Sequence, residues 1–521
     1  MTNSTTFIDN ITNIKAAWLN DVNTKTYADP QIAALSAPTG SSLVGFQLSA
    51  TGAAAQTIFT KASQTVSVTD FYANGVSGAL VDPTGTYDST LGFQAAYNSG
   101  AKTIRVPDGI YLFGTGGLKL AITSAVRFVG DSQRYSIISI NNTSGDGILV
   151  NTTDIVSFEN LTFGSQVVRT AGSYITVTAP SGLGNTGSSF YNCNFTNAYN
   201  GLNFLNAFNW KVVNCTFSSY TATVVFVANG LSYDHGDSSI TGCLFYGIDT
   251  AHGYGIYQTS SGGLRVTNNK FLSGITHYYQ NITAGASTSI LIFANNSCEY
   301  SGGSNIVFAN AATSSFLLPQ IVNNEISVTA GQTGITLQTV SGGTLSNFVI
   351  GGNIFNLASG ATTGIYAGYV SGLTILPNHF TVAGATSGTG INISANVGTG
   401  NIQVQSFFNL SSKVSNSNVN VTDLNNVTNF ASPGGLSASI NATPSAITTM
   451  GTQYAAQLLV VKDFTTSGAA LLLLTDVAVN VISSTLTSIS FTTYGGNLLA
   501  ATTGGASSRT LFMVKLSTAN F

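Results

Sequence analysis

Charge is scarce in this chain. Of 521 residues, Lys and Arg together number 16 and Asp and Glu together 19, for a net charge of −3. No basic field exists to hold nucleic acid or an anionic membrane surface. Four Cys in so long a chain exclude a disulfide framework. The four His fall on separate segments and give no metal-ligand spacing. HExxH, CxxC, Walker A and GxSxG motifs are all missing. "GLGNTG" (182–187) fits GxGxxG but lies between strand-like segments, not between a strand and a helix, so no dinucleotide site is expected. The most apolar run, "AALLLLTDVAVNVI" (469–482), is interrupted by Thr475 and Asp476 and is too short to span a bilayer. "MTNSTTFIDN" lacks the basic-then-apolar pattern of a signal peptide. The expectation is a protein with no cofactor, no metal, no nucleic-acid partner and no membrane insertion. What is abundant is Gly (56), with Ser, Thr and Asn, a composition of strands and turns.

A short motif recurs: "FYNCNF" (190–195), "VVNCTF" (212–217), "ITGCLF" (240–245), "VTNNKF" (266–271), "FANNSC" (293–298) and "IVNNEI" (321–326). Anchored on its third residue, the series runs Asn160, Asn192, Asn214, Gly242, Asn268, Asn295, Asn323, Gly352, Pro377, with successive differences of 32, 22, 28, 26, 27, 28, 29 and 25. A period in the twenties with variable insertions marks a solenoid. Two before the anchor stand Phe158, Phe190, Val212, Ile240, Val266, Phe293, Ile321, Ile350 and Ile375. Three after it stand Phe163, Phe195, Phe217, Phe245, Phe271, Cys298, Ile326, Phe355 and Phe380. Both columns are apolar throughout. The predicted fold is all-β: a right-handed parallel β-helix whose coils stack at about 4.8 Å, so that equivalent side chains touch. The Asn column is expected at a tight bend, its amides bonding to the neighbouring coil. A leucine-rich repeat is disfavoured by the lack of a regular LxxLxL pattern. Cys193, Cys215 and Cys243 share one column. Their spacing permits a disulfide, but buried free thiols are the preferred reading.

The flanks carry a resemblance. "VSVTDFYANG" (66–75) and "STLGFQAAYNSGAKTIRVPDGIYLF" (89–113) resemble the opening of phage tailspike β-helices of the pectate-lyase-like superfamily, with Val68, Asp70 and Phe71 matching one segment and Val106, Pro107, Gly109 and Tyr111 the next. The loop "GVSGALVDPTGTYD" departs from the family's Gly-Asp-Gly. Asp88 is placed to cap a helix over 89–98 that closes the solenoid. "AAWLNDVNTKTY" (16–27) and "GSSLVGFQLSATGA" (40–53) resemble the N-terminal segment and following linker of fibres and tailspikes of short-tailed phages. Ile14, Trp18, Leu19 and Val22 fall on one helical face, and the resemblance implies that they anchor the chain to the virion. The expected organisation is an anchor (1–35), a linker (36–65), a cap leading into the solenoid (66–118), the β-helix (119–410), a linker (411–435) and a C-terminal antiparallel β-sandwich (436–521). The resemblance further implies a homotrimer, attachment to phage tail or portal-adaptor proteins, location in the virion tail, and a bacterial surface polysaccharide as ligand. So few surface charges also favour a buried face.

Between the anchors at 214 and 295, ionisable and aromatic residues concentrate. The candidate catalytic carboxylates are Asp234, Asp237, Asp249 and Glu299; the candidate substrate contacts are Trp210, His252, Tyr254, Arg265, His277, Tyr278, Tyr279 and Tyr300. Counting from the anchors aligns Asp249, His252, His277 and Tyr278 on one side of adjacent coils. Carboxylates beside tyrosines suit a glycan groove, since aromatic faces carry sugar rings and a carboxyl pair cleaves the bond. A lyase would instead use a His or Tyr base and a cation such as Arg265 or Lys270 beside a uronate carboxyl. Hydrolysis is the preferred chemistry. A non-enzymatic adhesin and a purely structural fibre are the alternatives, and a secreted cellular lyase is a weaker one.

Overall fold

The computed structural model describes residues 45–46, most of 55–423 and the strand backbones of 436–519; the main internal segments left out are 229–235, 260–262, 282–290, 311–318 and 340–344. Asp234 and the four anchor residues Ile14, Trp18, Leu19 and Val22 lie outside the described residues.

The repeat is a parallel β-helix with three long sheets. Each coil runs through a strand of sheet A, a bend, a strand of sheet B, a turn, a strand of sheet C and a loop back to sheet A. Sheet A has 14 strands from Thr65–Ser67 to Val421–Asp423, sheet B has 13 from Thr84–Asp88 to Ser406–Phe408, and sheet C has 12 from Leu120–Ile122 to Ser412–Asn416. Strands Ser412–Asn416 and Val421–Asp423 pair in parallel with Thr389–Ile393 and Gly400–Ile402, so the solenoid runs into the segment expected to be a linker. Beyond it the chain turns antiparallel, with one sheet of five strands and one of three between Leu436 and Ala519.

The bend explains the motif. Asn160, Asn192, Asn214, Asn268, Asn295 and Asn323 all have φ between 51° and 58°, and Gly242 and Gly352 have 66° and 67°. This left-handed position tolerates Asn and Gly and few others, which is why those two types alternate there. The anchor side chains are largely exposed. The buried amide ladder is one residue later, a correction to the expectation. Asn296 Nδ2 donates to Val266 O (2.9 Å) and Asn324 Oδ1 (3.0 Å), while Asn296 Oδ1 accepts from the Asn269 amide (2.9 Å). The same pattern links Asn269, Asn324, Asn353 and Asn378 and ends at Gln405. Earlier coils carry cysteine in this column. Cys193, Cys215 and Cys243 are free and buried, and their thiols donate to Phe158 O (3.4 Å), Phe190 O (3.6 Å) and Val212 O (3.6 Å). Each thiol meets the carbonyl two residues before the preceding anchor, the place an Asn amide meets in later coils.

The column three after the anchor is a stack of rings. Phe163–Phe195, Phe195–Phe217, Phe217–Phe245 and Phe245–Phe271 centroids lie 5.0, 4.8, 4.8 and 4.5 Å apart. Burying each Phe contributes about 1.5–3 kcal/mol, so the column fixes coil register. At the N-terminal end, helix Thr90–Asn98 closes the core, its Phe93 packed edge-on to Tyr111 and Phe113. Asp88 Oδ1 accepts from the Thr90 amide at 2.8 Å. Gln94 exchanges two hydrogen bonds with Ala121 (2.9 and 3.0 Å), pairing the first strand of sheet C as another strand would. No described helix is long and apolar enough to cross a membrane.

Candidate functional site

Sheet C strands repeat a second pattern: "NGLNF" (200–204), "YGIYQ" (254–258), "TGITL" (333–337), "TGIYA" (363–367) and "TGINI" (389–393). The glycine is fixed by the ring column. A Cβ at Gly255 would come within 3.1 Å of Phe271, and Gly334 and Gly364 lie likewise against Phe355 and Phe380. Glycine and the next residue both face inward, so the first and fourth residues of the pattern face out. Tyr254 and Tyr257 therefore share the outer face, and Tyr279 of the next coil pairs with Tyr257.

The three rings form one patch. Tyr257 and Tyr279 stack with centroids 5.0 Å apart at 18°, and Tyr254 lies 5.2 Å from Tyr257 and 5.3 Å from Tyr279. Each ring is half-buried. Burial raises the pKa of Tyr254 and Tyr279 above the usual phenol value, so both stay neutral donors. Tyr257 is not among the candidate contacts named from the sequence, and the YGIY pattern is the signal that places it on the same outer face as Tyr254.

Around the corner from this patch lies the turn between sheets B and C. Asp249 Oδ1 accepts from the Ala251 and His252 amides (2.8 and 2.9 Å), and both its oxygens meet His252 Nδ1 at 2.9 Å. The bond to His252, then that to the Ala251 amide, holds the Asp249 carboxyl below its ordinary pKa. Two coils on, Glu299 pairs with Lys270 Nζ (3.3 Å) and accepts from Ser297 Oγ (3.1 Å). The intervening turn is short. Its consecutive amides Ser273 and Gly274 donate to Glu299 O (3.1 Å) and Asp249 O (2.7 Å), and Gly302 has no room for a Cβ against Thr250. Asp249, His252, Glu299 and the exposed Tyr300 thus share one corner beside the tyrosines. Exposed Tyr246, on the outer face of sheet B in register with Leu272 and Glu299, borders the same strip.

Several candidates are not in the strip. His277 and Tyr278 are fully buried. Counting from the bend fails for them because the turn between sheets B and C varies: the register aligns Tyr254 with Thr276, which places His277 in the inward glycine column opposite Gly255. Its ring fits because the next coil has Cys298 where a Phe would stand. It stacks on Phe271 (5.5 Å, 26°) and continues the ring column. Burial pushes the His277 pKa down to about 4, which keeps it neutral. Tyr278 Oη donates to Gln258 Oε1 (2.7 Å) inside the core. Trp210 is also buried, stacked on Phe204 at 3.9 Å. Arg265 is exposed, but on the outer face of sheet A. Asp237 occupies an exposed turn (φ 59°) that leads into sheet A, separated from Asp249 by two strands. Among the described residues, no group of three or more His, Cys, Asp or Glu is placed to hold a metal.

No family model matches the chain, and no curated protein matches it. Solved structures do. A mutant tailspike protein of E. coli bacteriophage HK620 superposes with a TM-score of 0.55 at 13% identity, over 94% of this chain and 99% of that one. The HK620 tailspike in complex with a pentasaccharide gives 0.51 at 13% identity, over the same shares of 94% and 99%. Tailspike protein 3 of bacteriophage CBA120 gives 0.49 at 16% identity, over 88% of this chain and 75% of that one. The chain has the β-helix fold of phage tailspike proteins.

Proposed function

We propose that this protein is a phage tail spike that attaches the virion to a polysaccharide on the host surface. The observation that carries this reading is the patch of Tyr254, Tyr257 and Tyr279, three mutually packed rings on the outside of an otherwise rigid sheet. Such a platform suits the apolar faces of sugar rings, and its placement on a scaffold keeps it preorganised. The HK620 tailspike, which shares the fold, has been solved with a pentasaccharide, in keeping with the reading. The rest of the assignment follows from the same proposal. Residues 1–35 hold the spike in the tail, and the C-terminal antiparallel sheets hold three copies together. A protein lacking 436–521 should then be monomeric by light scattering.

Hydrolysis of the bound polymer is the second reading, favoured by the two carboxylates on one corner. Asp249 and Glu299 lie two coils apart; full strand spacing, roughly 10 Å, would sit just beyond the inverting range of roughly 6.5–9.5 Å, and the short turn between them lets the two outer coils approach more closely than that. Asp249, kept ionised by His252, suits activation of water. Elimination is less well supported, because Arg265 lies on another face and Lys270 is paired with Glu299. Incubation with host polysaccharide decides between these outcomes. New reducing ends that disappear in Glu299→Gln, with binding retained, mean hydrolysis. Binding without reducing ends means an adhesin.

A further inference from the structure

Eleven consecutive strands of sheet C, from Leu120–Ile122 to Thr389–Ile393, contain no Asp, Glu, Lys or Arg. The outer column through the tyrosine patch includes Asn203, Tyr257, Tyr279, Thr336, Tyr366 and Asn392, in unbroken register. His277, the only histidine in these strands, points inward and is buried. Sheet A differs, with Arg105, Arg127, Glu159, Lys211 and Arg265 in its strands. Around the corner from the patch, Lys270 pairs with Glu299 and the His252 ring bonds to Asp249.

We infer that the polymer gripped by this face is uncharged, built of neutral sugars such as hexoses, deoxyhexoses or N-acetylhexosamines and free of uronate. The inference rests on the polysaccharide-binding reading above. A uronate carboxylate moved from water onto sheet C would meet hydroxyls and amides but no cation to offset its desolvation. Around the corner Asp249 and Glu299 already engage His252 and Lys270, which leaves neither partner open to a uronate carboxylate. Neutral rings lose nothing of this kind. Their faces cover the tyrosines, and their hydroxyls match the Thr and Asn side chains in donor and acceptor capacity. The charge class also constrains chemistry. β-Elimination removes a proton acidified by the uronate carboxyl, so a neutral polymer leaves hydrolysis. There water adds across the glycosidic C–O bond: its oxygen goes to the anomeric carbon and a proton to the leaving oxygen.

The test uses the full-length protein, immobilised, against purified bacterial surface polysaccharides of known composition. Neutral polymers, uronate-bearing polymers and the carboxyl-reduced form of each acidic polymer are compared at about 50 and about 500 mM salt, conditions that span most of the screening range. Binding should be confined to neutral or carboxyl-reduced polymers, with affinity changing less than twofold between the two salts and lost in Tyr257→Ala. Binding to uronate polymers that disappears on carboxyl reduction, or a tenfold loss of affinity in high salt, overturns the inference. If no polymer binds while Tyr257→Ala virions adsorb to host cells as well as the parent, the platform itself is wrong and not merely the charge of its ligand.

Discussion

The interior of the solenoid and its outer strip between 246 and 300 obey different rules. Inside, most coils repeat one solution: a ring on a ring, and an amide or thiol on the same carbonyl. Outside, neighbouring coils need not agree, and the strip gathers Tyr246, Tyr254, Tyr257, Lys270, Tyr279, Glu299 and Tyr300 on three coils only. Repetition marks what stacking demands, and departure from it draws attention to function. His277 shows the limit of that rule. It departs from the glycine column, yet its cause is internal: Cys298 leaves a gap in the ring stack and an imidazole fills it.

The largest effect is expected where the interior repeat is broken. Asn296→Ala removes the acceptor of the Asn269 amide and the donor to Val266 O, both buried. Two orphaned backbone groups at about 1–3 kcal/mol each predict a loss of roughly 2–6 kcal/mol. Cys215→Ala in the equivalent column removes only a weak thiol donor and a small apolar volume, for about 1 kcal/mol. Unfolding rates in denaturant should separate the two variants clearly, since a long solenoid is best compared kinetically. Equal effects would mean that the thiol and amide ladders are not the same device at different strength.

An exterior substitution should show the opposite profile. Tyr257→Ala removes the ring that touches both other tyrosines while leaving the inward column intact. Loss of a central aromatic anchor of about 2 kcal/mol predicts roughly thirtyfold weaker polysaccharide binding. The unfolding rate should stay within twofold of the parent. A large stability loss with unchanged binding would reverse the assignment of the two regions.

The interior was legible in the sequence because each column is sampled at every coil, so chance apolar runs are averaged out. Both apolar columns, the bend and the closing helix could be placed from spacing, and Asp88 does bond the first turn of that helix. The amide ladder was misplaced by one residue. The exposed anchor Asn is the more repetitive of the two positions because the bend demands positive φ, and the bond between anchor amides, from Asn192 Nδ2 to Asn160 Oδ1 (2.7 Å), is exposed. The strip was only partly legible. Tyr254, Tyr279, Glu299, Asp249, His252 and Tyr300 do fall near one corner, whereas His277 and Tyr278 turned inward. Counting from the bend crosses a turn of variable length, and an error of one residue in a strand exchanges the two faces. Trp210 and Arg265 fell away for a related reason, since closeness in sequence does not say which sheet or side a residue occupies.

His277 makes the interior side of the comparison sensitive to pH. Its folded pKa of about 4 lies below the ordinary value of 6.5, with burial the main cause and the Ser273 backbone, the Asn305 side chain and the Glu299 backbone beside the ring. The unfolded chain therefore binds the proton more readily. Stability from the neutral ring is present above pH 6.5, declines as pH falls toward 4 and is fully lost below it. Between pH 6.5 and pH 5.5 the change is about 1 kcal/mol. His277→Phe should flatten that segment of the pH profile while keeping the ring stack. Parallel profiles for parent and variant would show that the imidazole is not the group responsible.

The smallest effect is the one that sharpens the exterior side. Arg265 shares a coil with Tyr279 and is one coil from Tyr257, yet Arg265 stands on sheet A in register with Ser239 and Ile292, and both tyrosines stand on sheet C. If one face carries the ligand, removing a cation from another face should change little, because a charge beyond a Debye length of about 8 Å is largely screened at physiological salt. Arg265→Ala is expected to leave polysaccharide affinity within twofold and its salt dependence flat. A tenfold loss would mean that the polymer wraps from sheet C onto sheet A, and that the ligand carries charge where the arginine meets it. The tyrosine platform would then be one end of a longer groove.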